Sequence, residues 1–134
     1  MLAELKSLHE EVLAGIATLE AIVSAEKPDT TALAHARWQL TRVSRNRGLL
    51  LAKIYPAIEH LRGVDPAGLA AMRAEHQGAI AASSRHIAAW TPERILANWK
   101  DYQEASANHR AVMRARVAAE QATLYPLLKQ LERA

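Results

Sequence analysis

The side chains best placed to do chemistry are His9, His76, Arg116 and Glu120. Imidazole, carboxylate and guanidinium groups taken out of water must either hold a cation or pair with one another. Their register can be read from a repeated element. AKIYPAIEHL (Ala52 to Leu61) and ATLYPLLKQL (Ala122 to Leu131) share the pattern A-x-[IL]-Y-P-x-[IL]-x-x-L, each with a proline inside a helical pattern. Such a proline frees the carbonyl four residues earlier, here Ala52 and Ala122, and bends the helix. Ten and six residues before Pro126 stand Arg116 and Glu120, one turn apart on a single face, and Asn46 and Leu50 hold the same offsets before Pro56. Counting back from the turns at a rise of about 1.5 Å per residue brings His9 level with residues near Arg47, and Leu50 level with Gly78, close to His76. His9, Asn46, Leu50, His76, Arg116 and Glu120 are therefore expected to converge at one level of the interior.

Positioning such a layer needs helices, and the patterning supplies them. Leu2, Leu5, Val12, Ile16, Leu19 and Val23 recur at steps that mark an amphipathic helix, and His9 occupies the gap in that stripe. Pro28 stops this helix, and Asp29 or Thr30 can cap the next. A second helix is expected from about Thr31 to Leu61, with Leu33, Leu40, Val43, Leu50, Ile54, Ile58 and Leu61 on its inner face and Gly63 as C-cap. Asp65–Pro66 opens a third, running to about Trp90, and Thr91–Pro92–Glu93 opens a further segment in the same way. The last helix carries Ile95, Trp99, Tyr102, Met113, Leu124, Leu127 and Leu131 on one face. The expected fold is an all-α, up-down-up-down four-helix bundle formed by residues 1–134 as a single domain. From Thr91, His76 lies fifteen residues back and Arg116 twenty-five ahead. Bringing those two level requires a short extra helix or crossover between Pro92 and Asp101.

Composition narrows the function classes. Half of the 134 residues are apolar, phenylalanine is absent, and there is no cysteine, hence no thiolate site and no cysteine nucleophile. No run of eighteen apolar residues occurs and no basic-then-apolar leader opens the chain, so a cytoplasmic protein without membrane association is expected. Thr30 to Ile58 contains no acid but holds Arg37, Arg42, Arg45, Arg47 and Lys53. A basic helix beside the acidic first helix explains this better than a nucleic-acid patch, because no aromatic residues interleave with the arginines in a stacking pattern.

With the layer placed, the sequence resembles the hemerythrin-like, HHE cation-binding family over nearly its whole length. That family's signature is H-x-x-x-E-x-x-x-x-[FY]-P in helices two and four. Here Ile54 to Leu61 and Leu124 to Leu131 match its ends, Glu120 matches the helix-four carboxylate, and His9 and His76 stand where further histidines are expected. The resemblance implies a four-helix bundle and, in the family, a carboxylate-bridged pair of irons. At three ligand positions, however, stand Asn46, Leu50 and Arg116. One carboxylate cannot offset the charge of two irons, so a di-iron centre is not expected.

Two readings of the layer follow. His9, His76 and Glu120 could hold a single Fe or Zn ion as a two-histidine, one-carboxylate site. Alternatively, Arg116 is the cation and pairs with Glu120 at i,i+4, hydrogen-bonded by Asn46 and the histidines, in which case no cofactor is needed. Of the other histidines, His109 shares the inward stripe two turns from Arg116, His86 suits a helix end, and His35 and His60 suit the surface. No triad pattern or paired carboxylates argue for hydrolysis, and no histidine has the H-x-x-K-G surroundings of a phosphotransfer bundle. The expected function is therefore non-catalytic: an interaction or regulatory protein acting on an unidentified protein partner or by self-association. Metal or small-ligand sensing through His9, His76 and Glu120 is the alternative.

Overall fold

The computed structural model describes residues 1–133, whose regular structure is all helical, with no strand among them. Five helices follow in order: α1 (Leu2–Val23), α2 (Thr30–Ile58), α3 (Pro66–Ala89), α4 (Pro92–Ala97) and α5 (Trp99–Arg133). Three of their starts are fixed by the local chemistry read from the sequence. The Asp29 carboxylate accepts from Ala32 N–H, Asp65 accepts from Ala67 N–H ahead of Pro66, and Thr91 Oγ accepts from Arg94 N–H ahead of Pro92. The expected short segment before the last long helix is α4.

α2 ends at Ile58, three residues before the expected Leu61. Tight turns close there through Leu61 N–H to Ile58 O and Val64 N–H to Leu61 O. Gly63 then takes φ +81°, a left-handed conformation that suits glycine. Both mid-helix prolines lie within continuous helices, and Pro56, Pro126, Ala52 and Ala122 are all exposed. Water therefore reaches the carbonyls those prolines free, and the repeated element disturbs only the solvent side of α2 and α5.

α1, α2 and α5 share the core, and α3 packs chiefly on α5. The core is divided in two. One cluster gathers Val12, Ile16, Leu19, Val43, Tyr102 and Val117 with the buried side chains around the α1–α2 turn and α4. The other gathers Leu5, Leu51, Ile54, Ile58, Leu124 and Leu128 at the opposite end. Trp99 Nε1–H donates to Ala25 O, and Gln103 Nε2 donates to Val23 O and Ala25 O, so the carbonyls leaving α1 are satisfied by α5. α3 differs from its neighbours in kind: Leu69 and His76 are its only buried residues. No helix among the described residues is long and apolar enough to cross a membrane.

Replacing Gly63 by alanine forces a Cβ into the left-handed region and is expected to lower stability by about 1 kcal/mol, measured as a shift of the urea midpoint at constant m-value. No shift would show that the α2–α3 turn relaxes freely.

Candidate functional site

Each of the three core-sharing helices carries a polar or charged side chain in its apolar stripe at a common level. On α1 His9 stands between Leu5 and Val12, on α2 Arg47 between Val43 and Leu50, and on α5 Glu120 between Val117 and Leu124. The Glu120 carboxylate is wholly buried, as is His9, and Arg47 is nearly so. Arg47 grips the carboxylate as a fork, Nε–H to Oε1 at 3.0 Å and Nη2–H to Oε2 at 3.2 Å. His9 Nε2 lies 2.8 Å from Oε1, and because a carboxylate only accepts, that nitrogen carries the hydrogen. The ring's other nitrogen, Nδ1, is 2.6 Å from the Tyr125 hydroxyl. This chain of contacts closes the gap between the two apolar clusters.

The expected layer is corrected in three places. Asn46 is exposed, and the inward residue of that turn is Arg47. Leu50 is buried, but in apolar packing at one end of the core. Arg116 does not reach Glu120: it turns to α3, donating to Glu75 Oε2 at 2.8 Å and to Met72 O at 3.4 Å. The physical reason is helical phase. Val117 and Glu120 lie on the α5 stripe, so Arg116 falls beside it, toward α3. Arg47 was discoverable, standing four residues after Val43 and four before Leu51, in phase with the whole α2 stripe. Tyr125 was hidden in plain view within the repeated Y-P pair.

A metal does not fit this arrangement. Among the described residues no three His, Asp or Glu side chains come close enough together to hold an ion. His9 and Glu120 do meet, but Arg47 already occupies the carboxylate, and His76 hydrogen-bonds to neither of them.

His76 instead faces a cavity of about 400 Å³ between α2, α3 and α5. It is 7% exposed, and neither ring nitrogen has a hydrogen-bond partner among the described residues. At the other end of the same cavity His109 Nε2 meets Ser83 Oγ at 2.8 Å, and the His86 and His109 rings stack with centroids 4.4 Å apart. The expected helix-end role for His86 is thus incomplete, since the ring also lines the cavity. His35 and His60 are exposed, as expected.

Environment sets the protonation of these groups. Burial is the largest single influence on Glu120 and pushes its pKa up, but the His9 hydrogen bond and the charge and hydrogen bonds of Arg47 together outweigh it, so the carboxyl titrates below its ordinary value. Burial lowers His76, with the Arg47 charge adding to it, and burial followed by the Arg110 and Arg37 charges lowers His109. His86 is pushed down to about 4 by burial, its His109 neighbour and Arg37.

Arg47→Met leaves Glu120 buried without its main counter-charge and is expected to cost about 3–5 kcal/mol of stability. Arg116→Met, at a pair whose Glu75 side chain is 67% exposed, should cost about 1 kcal/mol or less; equal losses by urea denaturation would contradict the assignment. His76→Leu removes two buried unpartnered nitrogens and is expected to leave stability unchanged or higher.

Acid is expected to destabilise in two stages. Below the ordinary histidine value of 6.5 the unfolded chain takes up protons that the folded His76, His86 and His109 refuse, so stability falls with pH, for His86 down to about 4. Glu120's contribution is whole above its ordinary 4.5 and is lost as pH falls through its lower folded value. A urea midpoint that stays level from neutrality to the ordinary carboxylate range would contradict the first stage.

No family model, curated protein or solved structure matches this chain.

Proposed function

We propose that this chain is a metal-free, non-catalytic binding protein built on a hemerythrin-like, up-down helical frame, and that it works by receiving a small ligand between α2, α3 and α5. The observation that carries this reading is the cavity of about 400 Å³, within the size range of small-molecule sites, with walls that are largely apolar and a few polar groups converging on them. The hemerythrin-like part rests on the two Y-P stretches and on the His9–Glu120 contact in the core. There Arg47 supplies the positive charge that a metal supplies in that family. A fork of two charge-assisted hydrogen bonds satisfies Glu120 without an ion, so the centre of the core serves packing and register, and the ligand-accessible chemistry lies beside it.

A regulatory rather than catalytic role suits the groups present. Ser83 and His109 are hydrogen-bonded, but both lie within helices whose backbone N–H groups are engaged in the helix, which leaves no donor pair to stabilise an oxyanion. α3 is held by polar contacts, Arg116 to Glu75 and Met72, Ser83 to His109, and Arg37 to Ile87 O. An occupant of the cavity would touch α2, α3 and α5 at once, and so can bias how α3 docks, which a partner protein can read.

Fluorescence titration with the neutral dye N-phenyl-1-naphthylamine is expected to show a single saturable site. Binding should be lost in Ala79→Trp, which fills the cavity from α3 and leaves the core untouched. Elemental analysis of the same protein, purified without chelators, should show no stoichiometric iron or zinc. A dye site that survives Ala79→Trp, or a full equivalent of metal, would overturn the reading.

A further inference from the structure

Three side chains on the cavity wall, one from each of its helices, bury polar atoms that have no hydrogen-bond partner among the described residues. They are Ser44 Oγ on α2, both ring nitrogens of His76 on α3, and Nε of Arg116 on α5. Buried polar atoms are nearly always paired in folded proteins, and leaving one unpaired is unfavourable. All three side chains are donors: a hydroxyl, an imidazole N–H and a guanidinium N–H, the last of which can do nothing but donate. The hydroxyl and the second imidazole nitrogen can also accept, but an acceptor is the one partner that suits a donor on each of the three side chains.

Charge points the same way. Arg37, Arg45, Arg47 and Arg116 line the cavity, and no aspartate or glutamate does among the described residues. Arg47 is spent on Glu120, but the ion pair that Arg116 makes among the described residues is with Glu75, whose side chain is 67% exposed and screens it weakly. Arg37 gives Nη2 to the Ile87 carbonyl and forms no ion pair among the described residues. Between these groups the wall is apolar, with Leu40, Ala79, Ile80, Ile87 and Met113. At about 30 Å³ per water-sized unit, the cavity holds on the order of a dozen non-hydrogen atoms.

We propose that the cavity binds a small organic anion, a carboxylate on an apolar body of about a dozen heavy atoms, with its oxygens accepting from Ser44, His76 and Arg116 and its apolar body lying along α3 toward Ile87. The assignment rests on the ligand-binding reading above and adds to it the charge and orientation of the ligand. It also gives the unpaired atoms a purpose. The donors come from three different helices, so an acceptor that reaches them bridges α2, α3 and α5.

Isothermal titration of the full chain with decanoate, 1-decanol and decyltrimethylammonium, each below its aggregation concentration, tests the proposal. Decanoate is expected to bind about tenfold or more tighter than decanol, and the cation to bind more weakly than either. Arg116→Met and Ser44→Ala should each weaken decanoate severalfold and leave decanol within about twofold, the decanol value showing that the cavity is intact. The serine variant removes only a hydroxyl and answers the question if the arginine variant disturbs α3. Decanol binding as tightly as decanoate, or a decanoate affinity unmoved in both variants, would overturn the anion assignment while ligand binding itself stands. The anion assignment falls equally if none of the three amphiphiles binds to protein that takes up N-phenyl-1-naphthylamine. Failure of that dye as well removes the reading beneath it.

Discussion

The carboxylate of Glu120 has no contact with water, and most of the architecture can be understood as the means of keeping it charged there. An unpaired carboxylate so placed would be prohibitive, so its partners must arrive in the right geometry whenever the chain folds. Arg47 supplies two hydrogen bonds and the opposite charge, and His9 supplies a third hydrogen bond while leaning on Tyr125. These groups come from α1, α2 and α5, one stripe position on each. A slip of one turn in any of the three helices would strand Glu120 or bury Arg47 against leucine. Apolar clusters above and below would tolerate such a slip far better, because aliphatic side chains exchange places with little penalty. The buried network acts here as a register device, the role best attested for polar groups inside helical assemblies.

With three helices locked together, α3 is left with little to bury. Its sequence, PAGLAAMRAEHQGAIAASSRHIAA, offers many alanines but few large apolar residues at helical spacing, and only Leu69 and His76 are buried. Alanine supports a helix well on its own account, so α3 forms without needing a deep core. The consequence is a helix attached by hydrogen bonds and by Arg116, standing off far enough to leave the cavity. Small side chains of α3 line that space, and a Cβ added at Gly48 on α2 would come to 3.8 Å from His76 Nε2. Stability thus rests on a tightly registered trio of helices, beside which a fourth long helix gives up burial and leaves a cavity.

Much of the fold could be read from the chain because its signals are local. Caps at Asp29, Asp65 and Thr91 and the apolar stripes of α1 and α2 depend on neighbours within a few residues. The short α4 followed from a length mismatch about the Thr91 turn. His9 and Glu120 were legible as a meeting pair, and the level of Arg47 was correctly counted. Its face was not. Offsets measured from Pro56 point to Asn46, whereas the stripe that includes Leu40, Val43, Leu51 and Ile54 selects the next residue, and packing follows the stripe. The same offsets placed Arg116 inward, although Val117 holds the core position beside it. The cavity left no mark in the sequence, because it arises from how far apart two helices stand, and that distance is set by side chains that are missing rather than present.

The central claim, that Glu120 is held by Arg47 and that the pair sets the register of the core, is tested most directly by a double-mutant cycle combining Arg47→Met with Glu120→Leu. Since a lone buried charge is far worse than an apolar pair of similar volume, the double variant is expected to be markedly more stable than the two single losses sum to, with a coupling energy of about 2–3 kcal/mol. A coupling within a few tenths of zero, or a larger one between Glu120 and Arg116, would contradict it.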